Sequence, residues 1–159
     1  MENILKVRQT LMNSIFEVFE RMFYVFLEPT ESRPNGEHSC RAAISFSGPL
    51  MGELRAFFSR PLAEAMLRNM LNVGGNEINE RLMSDCLKEA VNMICGNFLG
   101  KHDSGQVFDL SIPTYDSGLQ VDDIKAAADF GALRLDFSGG EGSLIMVMMT
   151  FSGRDLSVG

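Results

Sequence analysis

The sequence predicts an α+β fold of two layers, with long helices packed on one side of an antiparallel β-sheet. Three observations carry this. Apolar residues recur at three- and four-residue steps over 2–27 and again over 76–101, the spacing of one face of a helix. Elsewhere, as at 40–59 and 132–137, they recur at a two-residue step in short segments separated by Gly-containing turns. The order also repeats: a long helix then a hairpin in 2–59, a long helix then strands in 76–151. The repeat suggests an internal pseudo-duplication without detectable sequence identity.

The first helix is read over 2–27. Leu5, Leu11, Met12, Ile15, Phe16, Phe19, Met22, Phe23 and Phe26 make a wide apolar stripe, which predicts deep burial. The polar stretch EPTESRPNGEHS, 28–39, ends it as a loop. CRAAISFSGPLMGELRAFFS, 40–59, reads as two strands joined at Ser47-Gly48-Pro49. Ile44 and Phe46 share one side of the first strand; Leu54, Ala56 and Phe58 share one side of the second. Pro61 opens a shorter helix, 61–71, as proline does at a first helical position. NVGGNE closes it, and the second long helix runs over 76–101. Strands are expected at 107–112, 132–137 and 144–151, with a short helical piece, DDIKAAAD, at 122–129. SGGEGS, 138–143, is the hairpin loop between the last two strands. LRLDF alternates, so one face of that strand meets water, whereas LIMVMMTF is apolar throughout and reads as a central strand. The tail beyond Gly153 is expected to fray.

The 159 residues suit one domain spanning 1–159 with a real core, and 45% hydrophobic against 22% charged residues is ordinary globular composition. The net charge of −7, with a pI near 4.8, argues against nucleic acid or an anionic membrane as partner. No apolar run approaches the ~20 residues of a membrane-spanning helix. MENILKVRQTLMNS lacks the layout of a secretory signal, so a cytoplasmic location is expected. Cys40, Cys86 and Cys95 contain no CxxC pair and are read as inert buried thiols. The EHSC stretch, 37–40, lacks the four placed ligands of a structural metal site. VGG and SGGEGS lack the Lys-Ser/Thr of a phosphate-binding loop and are read as turns.

The second long helix carries the functional signal. At about 100° per residue, Met83, Leu87, Ala90, Val91, Ile94 and Phe98 fall in one arc that faces the core. Asp85, Glu89, Asn92 and Gly96 fall opposite, in an arc of roughly 60°. A plain solvated face accounts for polar residues there, but not for this choice. Mid-helix Asn costs about 0.6 kcal/mol relative to Ala, and Gly about 1 kcal/mol. A carboxylate can hold an ammonium, and a carboxamide offers one acceptor and two donors. Such a pair can aim a water without being a strong base. That suits phosphoryl transfer to water, whose loose transition state needs an in-line nucleophile more than a strong one.

At these residues the chain resembles the CheX/CheC family of chemotaxis phosphatases, CheX-like members above all. The family pattern is Asp or Ser, three residues, Glu, two residues, Asn, then a Pro some twenty residues on. Here it reads Asp85-CLK-Glu89-AV-Asn92, with Pro113 following in LSIPTYD. MICGNFLG after the Asn and the hairpin SFSGPLMGEL are also family-like, and the resemblance spans roughly residues 2–152. It implies a phosphatase acting on the aspartyl phosphate of a CheY-type response regulator. Glu89 would pair with the lysine of the regulator's active site, and Asn92 would orient the attacking water. Asp85, Lys88 and Gly96 would shape the docking face. This chain would bind no cofactor; Mg2+ would sit on the regulator. CheC-like members carry a second motif on the first long helix. The matching positions here are Asn13, Glu17 and Glu20, with a carboxylate where the Asn would be, so one active site is expected. The resemblance also implies a homodimer. The competing readings are a regulator-binding scaffold without turnover and a structural dimer with no phosphorylated partner.

Overall fold

The computed structural model describes residues 4–31, 38–72, 77–118 and 132–150. Helix α1 (Ile4–Met22) buries Val7, Leu11, Ser14, Ile15, Val18 and Phe19. It stops five residues short of the expected end. Tyr24 adopts a left-handed φ of 53°, and the Val25 N–H bonds back to the Phe19 carbonyl at 3.1 Å, so the chain turns off the helix axis there and the helix ends with a left-handed residue. Beyond it Phe23, Val25 and Leu27 are buried, while Tyr24 and Phe26 face out, Phe26 being 72% exposed. Over five residues the helical and extended periods fit the same apolar pattern, so Phe26 was placed on the wrong face. Strand β1 (Glu28–Pro29) follows, inside the expected loop.

Strands β2 (His38–Ser47) and β3 (Gly52–Ser59) form the expected hairpin, with Ala42 opposite Ala56 and Ile44 opposite Leu54. Ser59 then caps α2 (Arg60–Leu71). Its hydroxyl oxygen accepts the Leu62 N–H at 3.3 Å, and Pro61 sits in the first turn, where its missing N–H costs nothing. The same oxygen accepts the Ser143 N–H at 3.0 Å, tying the helix start to the last hairpin.

Helix α3 (Glu80–His102) begins four residues later than expected, where the Asn79 side-chain oxygen accepts the Leu82 N–H at 2.9 Å. The expected strand at 107–112 shrinks to β4 (Asp109–Leu110), and a strand not foreseen, β5 (Thr114–Ser117), follows. Both lie against β2, with Leu110 opposite Phe46 and Ser117 opposite Cys40. They make one interrupted edge. Pro113 lies in the interruption, where its lack of an N–H costs no ladder bond. Ser111 bridges the gap: its N–H donates to the Ser45 carbonyl and its hydroxyl accepts the Ser45 N–H, each at 2.9 Å. The expected helical piece at 122–129 and the tail after Gly153 lie outside the described residues. Strands β6 (Leu133–Gly139) and β7 (Gly142–Thr150) turn through Gly140 and Glu141 alone, a tighter hairpin than the six-residue loop expected.

All described pairings are antiparallel, and the sheet order is β1-β6-β7-β3-β2-β4, with β5 also on β2. The order is symmetric about its centre. The short strand after α1 flanks the second hairpin; the short strand after α3 flanks the first. This is what a pseudo-duplication predicts. The inner face of the sheet (Ile44, Phe46, Leu54, Phe58, Leu144, Met146 and Met148 among others) joins the buried sides of all three helices in one core. The outer face holds a smaller cluster of Phe57, Ile145 and Val147, set among the pairs Arg41–Asp116, Arg55–Glu53 and Arg134–Asp136.

Candidate functional site

Helix α3 is held near both ends by charged groups from distant parts of the chain. At its start, Glu80 accepts Arg60 Nη1 at 2.5 Å and the Tyr115 hydroxyl at 2.9 Å. Both interactions favour the carboxylate, so Glu80 titrates below its ordinary range, Arg60 first and Tyr115 second among the causes. Tyr115 is pushed up by burial and by the same bond. Toward its other end, Lys101 Nζ lies 2.5 Å from Glu17 Oε2 on α1, and Asn97 Nδ2 donates to the same oxygen at 3.4 Å. Arg21 reaches the other Glu17 oxygen at 2.7 Å. Glu17 is consequently held below the usual carboxylate range, chiefly by Lys101.

Between these ties runs the line the sequence picked out. Met83, Cys86, Leu87, Ala90, Val91, Ile94, Cys95, Phe98 and Leu99 face the core. Asp85, Glu89 and Gly96 are exposed; Lys88 and Asn92 are half-buried. No side-chain hydrogen bond or ion pair engages Asp85, Lys88, Glu89 or Asn92 among the described residues. Asn92 follows Glu89 by three residues, so the two are neighbours on the helix surface, about 4.5 Å apart along the axis. A Cβ added at Gly96 would meet no atom within 4 Å. Packing among the described residues therefore does not require glycine there.

Pro113 lies between β4 and β5, at the break in the edge beside β2. Residues that sequence reasoning passed over are Glu80, Arg60 and Tyr115 at one end of α3, and Lys101 and Asn97 at the other. They meet across long sequence separations and carry no local motif. Glu17 was noted as part of a degenerate second motif, and its carboxylate is committed to α3. The three cysteines are buried and free. Burial pushes the thiols of Cys86 and Cys95 up to about 12. His38 is buried against Ser143, with 2.9 Å between Nε2 and Oγ. Among the described residues no group of three or more His, Cys, Asp or Glu side chains could hold a metal ion, and no helix is long and apolar enough to cross a membrane.

The family model described as chemotaxis phosphatase CheX matches residues 40–138, a span that contains the whole of α3. No curated protein matches the chain in sequence. Among solved structures, chemotaxis protein CheX from Vibrio vulnificus superposes with a TM-score of 0.74 at 20% identity, covering 95% of this chain and 100% of that one. A CheC-like superfamily protein from Shewanella sp. PV-4 gives 0.72 at 21% identity, over 96% and 100%. The CheX–CheY–BeF3–Mg2+ complex from Borrelia burgdorferi gives 0.69 at 19% identity, over 90% and 96%. At these identities the likeness is one of fold, and it extends over nearly the whole chain. With the family match covering well over half of the sequence and the fold shared from α1 to β7, the chain belongs to the CheX family of chemotaxis phosphatases.

Proposed function

We propose that this protein hydrolyses the aspartyl phosphate of a CheY-type receiver domain, with Glu89 and Asn92 as its catalytic side chains. The carrying observation is that both stand on one outward line of a helix held near both ends, and neither is engaged within the described residues. A carboxylate left unpaired on a rigid element is ready for an ammonium on a partner; Glu89 takes the receiver's active-site lysine. Asn92 takes the incoming water through its amide and aims a lone pair at phosphorus, in line with the departing carboxylate. The P–O bond to the aspartyl oxygen breaks, the water oxygen bonds to phosphorus, and phosphate and the free carboxylate result. Mg2+ belongs to the receiver and neutralises the phosphoryl oxygens there. Asp85, Lys88 and Gly96 border the docking face. The Borrelia relative's complex with CheY supports a partner of this type.

The reaction takes place in the bacterial cytoplasm. A homodimer is also part of this reading. Strand β1 pairs with β6 at Phe137 and Ser138, and the Thr30 N–H bonds the Asp136 carbonyl at 2.9 Å; backbone groups nearer Leu133 form an edge free of a paired strand among the described residues. A second copy can pair there.

The test is decay of a phosphorylated receiver with and without the protein. Wild type accelerates release of phosphate. Asn92→Ala loses about 100-fold of that acceleration, the scale of misplacing a nucleophile. Glu89→Ala loses about 10- to 100-fold, the worth of a charge-assisted hydrogen bond. Wild type that binds the receiver without hastening decay makes the protein a scaffold. Asn92→Ala with full activity removes the water-positioning role.

A further inference from the structure

The outward line of α3 does not end at Gly96. At 3.6 residues per turn, Gly100 and Asp103 continue it, so it reads Asp85, Glu89, Asn92, Gly96, Gly100, Asp103. Beside its second half lies an open groove of about 230 Å³. Gly96, Gly100 and Asp103 form one side of it, and Gln106, Phe108 and Leu110 the other. The segment that builds the far wall is unusually apolar for a surface. In the groove itself the far wall is Phe108, half-buried, and Leu110, 38% exposed; Val107, 83% exposed, and Ile112, 87%, belong to the same segment without lining the groove. Like Gly96, Gly100 would meet no atom within 4 Å if it carried a Cβ. Two glycines in the body of a helix weaken it, and nothing among the described residues requires either of them.

We infer that this groove is the apolar anchor of the receiver-docking interface, taking up an aliphatic or aromatic side chain that the receiver presents beside its phosphorylated pocket. The inference rests on the proposed reaction at Glu89 and Asn92, and continuity commits the groove to that occupant. A standard interface covers about 800 Å² on each partner, a disc of roughly 16 Å radius. Gly96 and Gly100 stand about 6 and 12 Å along the axis from Asn92. A receiver seated with its phosphoryl group at Asn92 therefore lies over the groove. Charge attraction is a poor source of affinity here, because the chain carries −7 and the phosphoryl group is anionic. Beyond the single pair of Glu89 with the receiver's lysine, apolar burial in a pocket next to the catalytic pair is the remaining source, and such pockets are where interface energy concentrates. The bare backbone at Gly96 and Gly100 lets the partner's side chain reach the floor of the groove.

The test is steady-state phosphate release with a CheY-type receiver charged by acetyl phosphate, measured for wild type, Gly100→Leu, which fills the groove, and Leu110→Asp, which makes its wall polar. Both variants are expected to raise KM for the receiver at least fivefold while kcat stays within twofold. Gly100→Leu is expected to melt no lower than wild type, since leucine is the better helix former. This pairing of intact or higher Tm with weaker docking is not what a structural defect gives. Should Leu110→Asp fail to fold, the double variant Gly96→Ala/Gly100→Ala takes its place, with the same direction expected. KM within twofold of wild type in both variants overturns the inference and leaves the phosphatase reading standing. So does a fall in kcat with KM unchanged. Conversion of a wild-type dimer to monomer by Gly100→Leu assigns the groove to a second copy of the chain and also overturns it. A wild-type protein without effect on receiver decay overturns both readings.

Discussion

Glu17 and Glu89 hold corresponding places on the two long helices, and their surroundings set their roles apart. Glu17 is bonded to Lys101, Asn97 and Arg21, whereas Glu89 stands clear of any such partner among the described residues. Restoring the missing carboxamide at position 20 is therefore insufficient to make a second site. In an Asn92→Ala background, Glu20→Asn is expected to return none of the lost dephosphorylation. Recovered activity would mean that Glu17 can leave its partners for a receiver. The converse change, Asn92→Glu, places a carboxylate against a phosphoryl group and is expected to abolish turnover in the same decay assay. The cysteines allow a separate check. With Cys86 and Cys95 fully buried and their thiols pushed up to about 12, iodoacetamide at neutral pH should label neither in the folded protein and both in urea.

Ser59 joins three elements through one hydroxyl: the end of β3, the first turn of α2 and the start of β7. Ser59→Ala removes a helix cap worth about 1 kcal/mol and leaves the buried Ser143 N–H without its acceptor, a further ~1–3 kcal/mol. A loss of about 2–4 kcal/mol in urea unfolding is expected; a change below about 0.5 kcal/mol, the range of neutral surface substitutions, would show the joint to be dispensable. Gly142 is part of the same joint. Its φ is +151°, and a Cβ there would run into the Ser59 hydroxyl. The tie between α1 and α3 has a pH signature. Glu17 is held below the ordinary carboxylate range by Lys101, so its contribution is fully present above that range and is lost as pH falls through the lowered folded value. Wild type should lose stability over this acid range, and Glu17→Gln should lose less. The same ties mark where sequence reasoning stops. The outward placement of Glu89 and Asn92 follows from rotation per residue, and most elements follow from apolar period. The contact of Tyr115 with Glu80 joins residues 35 apart and depends on strand pairing, so no local pattern announces it. Strand β5 escaped notice because TYDS is mostly exposed and polar, and the end of α1 because its five apolar followers satisfy either period.

On the scale of the whole molecule, the net charge makes a claim that salt can test. If docking is anchored by the groove beside α3, raising salt from about 50 to about 300 mM should leave KM for the phosphorylated receiver unchanged or lower it, since apolar burial is not screened and screening weakens repulsion between this acidic chain and the phosphoryl group. A KM that climbs steeply with salt would place the affinity in opposite-charge contacts instead. The symmetric strand order has a further consequence, for synthesis. The strand that completes the centre of the sheet, β7, is the last described element, and it pairs with β3 some ninety residues upstream. A growing chain thus carries β3 with one flank bare until β7 has left the ribosome, and an unpaired apolar flank invites association with other nascent chains. Translation halted before residue 142 should yield protein that is captured by chaperones or precipitates, whereas a stop after 150 should release a soluble fold.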